Sequence, residues 1–200
     1  MHSKVLYTLK TNEMKTKAKL MYQKDSILLV VDMQERLIKA ITKQEKLIFN
    51  IKKLVEAAYV LGINIVQTEQ NPKKLGKTIK ELEIRDCSKS FEKMSFSCCG
   101  SIDFVKFMEN QKIKNVLICG IESHVCVEQT SIELLQLGYN VFIAADATGS
   151  RNLIDHDIAI RRIENSGAII TSTEGAIFEW CKTAEREEFK PISSIIKKSI

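Results

Sequence analysis

Three side chains of this sequence together have the chemistry of nucleophilic catalysis: Asp32, Lys93 and Cys126. Cys126 follows the apolar run 116–118 and a turn that contains Gly120, and a helical pattern begins soon after it. A thiol at the N-terminus of a helix lies near unsatisfied N–H groups, whose partial positive charge favours the thiolate. The position therefore predicts a nucleophile, and a buried core cysteine is the alternative interpretation.

Asp32 and Lys93 stand at equivalent places, each near the end of a predicted strand. Asp32 follows "LLVV", and Lys93 ends the weaker run "CSKSFEK". Taken singly, Asp32 has the alternative of a helix N-cap and Lys93 that of a surface lysine. Taken together with Cys126 they form a nucleophile, a base for its proton and a cation that holds the carboxylate.

The elements that must position these residues are short apolar runs that alternate with amphipathic stretches. The runs cover 26–33, 63–69, 87–93, 115–121, 140–148 and 168–173, and helical spacing appears at 47–61, 102–108 and 127–135. This alternation predicts an α/β fold: a three-layer α-β-α sandwich around a doubly wound, mainly parallel six-stranded sheet of Rossmann-like type. Ligands of such sheets bind outside the carboxyl ends of the strands, where Asp32, Lys93 and Cys126 are expected.

Length and charge indicate one globular domain with a short basic extension. The chain has 200 residues, of which 44% are hydrophobic, and a net charge of +5. Residues 1–24 carry six lysines and one acid, and the remaining 24 basic and 24 acidic residues cancel. We therefore predict a basic tail at 1–24, a domain at 25–200, and neither nucleic acid nor membrane as a partner. An RNA- or membrane-surface-binding tail is the alternative.

The cysteines predict a reducing compartment. The six of them, at 87, 98, 99, 119, 126 and 181, form no CxxC pair. Without an apolar secretory segment, free thiols in the cytoplasm are the expectation. Organelle targeting by the tail is the alternative, which the absence of arginine and the presence of Glu13 disfavour.

Five segments, in order, resemble the motifs of the isochorismatase-like cysteine hydrolase superfamily, and of its isochorismatase-domain-containing proteins in particular. They are "VVDMQERL" (30–37), "TEQNPKKLGKT" (68–78), "EKMSFS" (92–97), "GIESHVCVEQT" (120–130) and "ADATGSR" (145–151). The resemblance extends from about residue 25 to "FKPISSIIKK" at 189–198. It implies a catalytic triad of Asp32, Lys93 and Cys126.

The resemblance also implies a cis peptide bond between Ile121 and Glu122. The turn would then direct the backbone N–H groups of Glu122 and Cys126 at one point as an oxyanion hole. His124 is expected to shape the turn or the pocket wall rather than to act as the base. Ile121 is expected to line the pocket as well.

Three further residues are candidates for the substrate pocket: Gln34, Glu69 and Phe96. Gln34 follows Asp32 closely, Glu69 ends the second apolar run, and Phe96 lies just beyond Lys93. For Gln34 and Phe96, a surface amide and a core aromatic are the alternative interpretations.

Two departures from related branches narrow the expected reaction. The nicotinamidase branch has a metal site with histidines after the second strand, whereas "QTEQNPKKLG" (67–76) has none, so we predict neither a metal nor another cofactor. Members that cleave the vinyl ether of isochorismate lack the cysteine. The resemblance thus implies an amidohydrolase that cleaves a C–N bond of a small amide or carbamoyl compound. A catalytically silent ligand-binding or regulatory protein is the alternative.

We also predict a homo-oligomer. The apolar stretch "ISSII" (192–196) and the helix around Trp180 are expected to bury against a second copy.

Overall fold

The computed structural model describes residues 19–85 and 89–199, so most of the predicted tail and Cys87 lie outside the described residues. The strands are β1 (Ser26–Val31), β2 (Asn64–Gln70), β3 (Lys89–Lys93), β4 (Asn115–Ile121), β5 (Asn140–Gly149) and β6 (Ile169–Thr171). The helices are α1 (Glu35–Ile38), α2 (Gln44–Leu61), α3 (Pro72–Leu75), α4 (Ile102–Glu109), α5 (Glu128–Gln136), α6 (Leu153–Asn165), α7 (Thr173–Cys181) and α8 (Phe189–Ile196).

Within the described residues, one sheet of six parallel strands runs in the order β3-β2-β1-β4-β5-β6. The chain winds outward from β1 through β2 to β3 and then returns to the other side of β1 with β4. The strand order therefore reverses between β1 and β4, which is where ligands bind in sheets of this kind. The predicted fold class is confirmed.

Helices cover both faces of the sheet, as the continuous apolar strands require. Every residue of β1 and β4 is buried. One core cluster joins one face of the sheet to α2, α7 and α8, and a second joins the other face to α4, α5 and α6. Because both faces of the central strands are covered, their carboxyl ends are held in fixed positions.

Two segments that were expected to bury against a second copy instead complete the core of this chain. Trp180 of α7 is 1% exposed, and Ile192 and Ile195 of α8 pack in the same cluster as α2. The apolar stretch at 192–196 is thus the inner face of an amphipathic helix, which sequence alone does not distinguish from an interface.

The packed chain begins earlier than the predicted boundary at residue 25. Met21 is fully buried, and its backbone N–H donates to the Glu179 carboxylate at 2.8 Å. In the described part of the chain, we find no helix with the length and apolarity needed to cross a bilayer.

Candidate active site

Asp32 and Lys93 form an ion pair that is sealed from solvent. Lys93 Nζ lies 2.6 Å from Asp32 Oδ2, and both side chains are 0% exposed. Asp32 directly follows β1, whereas Lys93 is the last residue of β3 and reaches across the end of β2. Lys93 Nζ also contacts Gln70 Oε1 (2.9 Å) and the carbonyl oxygens of Phe96 (2.9 Å) and Ser95 (3.3 Å). These acceptors offset the cost of burying the ammonium group.

The same surroundings decide the charge of Lys93. Burial, the largest single influence, lowers the pKa of this side chain, but the Asp32 carboxylate and the nearby thiols Cys98 and Cys126 together raise it above its ordinary value. The ammonium form is therefore retained at neutral pH, and it balances the buried carboxylate.

Cys126 reaches this pair from the end of β4, which lies on the opposite side of β1 from β2 and β3. It lies in a π-helical turn, Ser123–Val127, between β4 and α5, and its thiol is within hydrogen-bond reach of the Asp32 carboxylate. The close approach of β1 and β4 depends on Gly120, which has φ +112°, because a Cβ there would lie 2.1 Å from the carbonyl oxygen of Val31.

The protonation state of Cys126 differs from the sequence-based prediction. Burial, followed by the negative charge of Asp32, raises the pKa of the Cys126 thiol, and Lys93 only partly opposes this. The position after β4 predicts a thiolate, yet the side chain is only 7% exposed and faces a carboxylate. The raised pKa favours a neutral Cys126 thiol beside the Asp32 carboxylate.

Two residues that sequence reasoning missed hold the ion pair in place. The Thr68 hydroxyl donates to Asp32 Oδ1 at 2.7 Å, and Gln70 accepts from Lys93 on the same face of β2. Alternation along β2 puts positions 68 and 70 on one face and Glu69 on the other. That alternation predicts which residues of β2 share a face, but not which residues of other strands they contact.

A second thiol, Cys98, also lies near the pair. It is fully buried, and its Sγ lies 3.6 Å from Thr68 Oγ1. Burial raises the pKa of Cys98 to about 11, although Lys93 lowers it. Because this thiol has no exposed surface, it is a natural comparison for Cys126 in any labelling experiment.

Gln34 and Glu69 have structural contacts rather than free polar groups. The Gln34 amide donates to the carbonyl oxygens of Gln70 and Gly76 and accepts from the Gln70 N–H. The Glu69 carboxylate accepts from the N–H and hydroxyl of Thr78 and pairs with Lys77. These contacts satisfy both side chains, so they give no support to the predicted place of either in a pocket.

The other three predicted pocket residues have different surroundings. Ile121 is fully buried in the core cluster beneath α2. The His124 Nδ1 lies 2.9 Å from Ser150 Oγ, so the ring joins the turn to the chain after β5. Phe96 is 55% exposed and its carbonyl contacts Lys93, which leaves its ring at the surface beside the ion pair.

The Ile121–Glu122 peptide bond is cis, as the resemblance implies. The Glu122 carboxylate turns away from the ion pair and accepts from the backbone N–H and the side chain of Arg151, both at 3.0 Å. The two contacts anchor the turn that precedes Cys126 to the end of β5.

The Cys126 side chain is 7% exposed. Three surface cavities of about 400 to 750 Å³ on the described chain are lined by residues other than Asp32, Lys93 and Cys126. Among residues 19–85 and 89–199, no group of three or more His, Cys, Asp or Glu side chains is arranged to hold a metal ion.

Comparison with known sequences gives a consistent picture. Residues 26–175 match the Isochorismatase domain. The Phytophthora sojae protein named secreted isochorismatase effector Isc1 is 39% identical over 88% of this chain and 86% of its own length. Isochorismatase domain-containing protein 1 of Danio rerio is 36% identical over 87% of this chain. The chain spans 62% and 59% of the lengths of the Danio rerio and Salmo salar forms of that protein.

Solved structures agree in fold. The MAR1 ribonuclease of Caenorhabditis elegans superposes with a TM-score of 0.86 and 33% identity, over 90% of this chain and 94% of that one. A putative MAR1 ribonuclease of Leishmania donovani gives 0.85 and 28% identity, over 91% and 97%. The domain match covers most of the chain, and it includes the whole strand framework that carries Asp32, Lys93 and Cys126. The chain belongs to the isochorismatase family.

Proposed function

We propose that this family member is a cysteine hydrolase that cleaves a C–N bond of a small amide or carbamoyl compound through a thioester on Cys126. The proposal rests above all on one observation: the Cys126 thiol lies within hydrogen-bond reach of the Asp32 carboxylate, whose charge is balanced by the fully buried Lys93 ammonium. A base that touches the nucleophile is the arrangement that nucleophilic catalysis requires.

In the first half-reaction, the sulfur of Cys126 attacks the carbonyl carbon while Asp32 accepts the thiol proton. Because the thiol is neutral at rest, proton transfer accompanies the attack rather than preceding it. The backbone N–H groups of Glu122 and Cys126 stabilise the oxyanion, and donors of this kind contribute about 10²- to 10³-fold in rate. Protonated Asp32 then donates to the leaving amine as the C–N bond breaks.

In the second half-reaction, Asp32 takes a proton from water, whose oxygen attacks the thioester carbon. The C–S bond breaks, the acid leaves, and Asp32 returns the proton to the sulfur. Lys93 keeps its proton throughout, since its raised pKa and buried acceptors favour the ammonium form. It holds the carboxylate in place while that carboxylate gains and loses a proton twice.

The test uses acid-quenched reactions with a panel of small amides and carbamoyl compounds, followed by intact mass and amine release. We expect an acyl adduct that Cys126→Ala abolishes and that Cys98→Ala, which removes the neighbouring buried thiol, retains. Amine release that survives Cys126→Ala, or an adduct that moves to Cys98, would contradict the proposal.

A catalytically silent binding or regulatory protein on the same fold is the competing function. Alkylation of Cys126 as a function of pH does not separate the two, because burial raises the pKa of this thiol in either case. Turnover does separate them: an amide that raises the melting temperature by binding but releases no amine favours the silent protein.

RNA is a second substrate class to test, because the similar C. elegans structure is named a ribonuclease. Within the site, the ammonium of Lys93 is already surrounded by the Asp32 carboxylate and by carbonyl oxygens. That cation is therefore not free to meet a phosphate. RNA cleavage that is lost in Cys126→Ala would replace the amide proposal with a nuclease.

We also propose that the chain forms a homo-oligomer. Helix α8 packs in the core and therefore gives no support to this proposal. Support comes instead from α6, whose apolar side chains Leu153, Ile154 and Ile158 are each at least 50% exposed. Light scattering of the purified chain, with Ile154→Asp and Ile158→Asp as interface variants, tests this.

The cytoplasm stays the proposed compartment. Free cysteines at 98, 99, 119, 126 and 181 support it, since thiols persist in reducing surroundings. One relative is named a secreted effector, so the location of the full chain in its own cell is the test.

A further inference from the structure

Thr68 is placed between the second thiol and the proposed base. Its side chain lies near the end of β2, where Thr68 is the register partner of Val31, and the residue is 1% exposed. The Asp32 N–H donates to the Thr68 carbonyl at 3.1 Å, and the Thr68 hydroxyl donates to Asp32 Oδ1 at 2.7 Å. Backbone and side chain of Thr68 therefore both contact Asp32.

The hydroxyl of Thr68 has a fixed direction. It carries a single proton, and its oxygen also accepts from the thiol of Cys98, whose Sγ lies 3.6 Å away. With a donor on one side and an ionised carboxylate on the other, the hydroxyl proton points at Asp32. Burial of all three groups leaves no water to compete for it.

The hydrogen bond from Thr68 gives the Asp32 carboxylate a contact at each of its two oxygens. Lys93 holds Oδ2, and Thr68 holds Oδ1. The last torsion of an aspartate is broad, so a carboxylate held at one oxygen alone is free to turn about its Cβ–Cγ bond. Contacts at both oxygens fix its plane relative to the Cys126 thiol.

We propose that Thr68 is a positioning residue for the reaction: its hydroxyl, directed by Cys98, fixes the plane of the Asp32 carboxylate against the Cys126 thiol. The inference rests on the proposed function, since it takes Asp32 as the base. Thr68 itself exchanges no proton with the substrate.

The test compares Thr68→Val, which keeps the shape and removes the donor, with Thr68→Ser, which keeps the donor. We expect Thr68→Val to lower kcat by about 10- to 100-fold with little change in KM, the loss typical of one hydrogen bond to a charged group. Thr68→Ser should stay within about threefold of wild type.

A readout without substrate separates this inference from the proposed function. The chemical shift of the Asp32 carboxyl carbon is measured by ¹³C NMR at neutral pH, with its resonance assigned by loss in Asp32→Asn. We expect its chemical shift to change in Thr68→Val and to stay close to the wild-type value in Thr68→Ser, because the serine hydroxyl can still donate to Asp32 Oδ1.

Each outcome decides one of the two statements. An unmoved resonance and an unchanged kcat in Thr68→Val overturn the role of Thr68, as does equal impairment of both variants, which would mark a packing effect. A moved resonance in a protein that hydrolyses no amide supports the hold of Thr68 on Asp32 and overturns the hydrolase alone.

Discussion

Removal of one member of the buried ion pair should cost far more stability than removal of both. Lys93→Met keeps the length of the side chain but leaves the Asp32 carboxylate charged, 0% exposed and without its contact at 2.6 Å. It also leaves two carbonyl oxygens and the Gln70 amide without a donor. Breaking such a pair costs about 3–5 kcal/mol in free energy of unfolding.

Asp32→Asn is the matched change on the other side of the pair. Asp32 has φ +50°, and asparagine tolerates that left-handed conformation, so the variant changes charge with little change in backbone strain. The double variant Asp32→Asn/Lys93→Met buries no charge. We expect it to be more stable than the sum of the single losses by at least about 2 kcal/mol.

The assay is urea unfolding at one protein concentration, followed by the fluorescence of Trp180, the single tryptophan of the chain, which is 1% exposed. A fixed concentration is needed because association of copies stabilises the folded state. Loss of less than about 1 kcal/mol in Lys93→Met, or strict additivity in the double variant, would refute the reasoning that the two charges depend on each other.

Three further outcomes are expected. Gly120→Ala should cost more than about 3 kcal/mol in urea unfolding, because its Cβ meets the Val31 carbonyl at 2.1 Å, whereas Gly138→Ala, at φ +89° with open space, should cost only about 1–2 kcal/mol. Gln34→Ala should lower the free energy of unfolding by about 1–3 kcal/mol and leave KM unchanged in the folded protein, because three partly buried backbone groups lose their partner. A change in KM alone would restore the place of Gln34 in the pocket. Since the pKa of Lys93 is raised, the stability that the ion pair contributes should persist to pH 10 and be lost only above about pH 10.4. This contribution is measured as the difference in free energy of unfolding between the wild type and the double variant. Its loss at a lower pH would contradict the raised pKa.

Much of the framework of this site could be predicted from the sequence, because residues that directly follow buried parallel strands lie together at one edge of the sheet. Asp32 and Cys126 follow fully buried strands that lie side by side, so their approach is a consequence of strand order. The position of Lys93 was harder to predict, since Lys93 ends a weak apolar run. Its reach across β2 depends on a loop whose carbonyl oxygens accept hydrogen bonds from its ammonium group.

What the sequence did not reveal depends on register and burial. Thr68 became a partner of Asp32 only through its pairing with Val31, which no local pattern encodes. Gln34 looked like a free amide, but its partners come from a segment about 40 residues away. The neutral state of the Cys126 thiol follows from lost hydration and a nearby carboxylate, neither of which is visible before the chain is folded.

Lys93, the cation of the site, lies on an edge strand of the sheet. β3 pairs on one side only, with β2, and most of its residues are exposed, in contrast to the sealed central strands. Opening of such an edge costs less than global unfolding. Gentle heating should therefore release Lys93 from Asp32 while the interior stays folded, and amide hydrogen exchange should be faster at Phe91 than at Leu29. The thermal limit of the candidate site is then expected to depend on β3, an edge strand, rather than on the core.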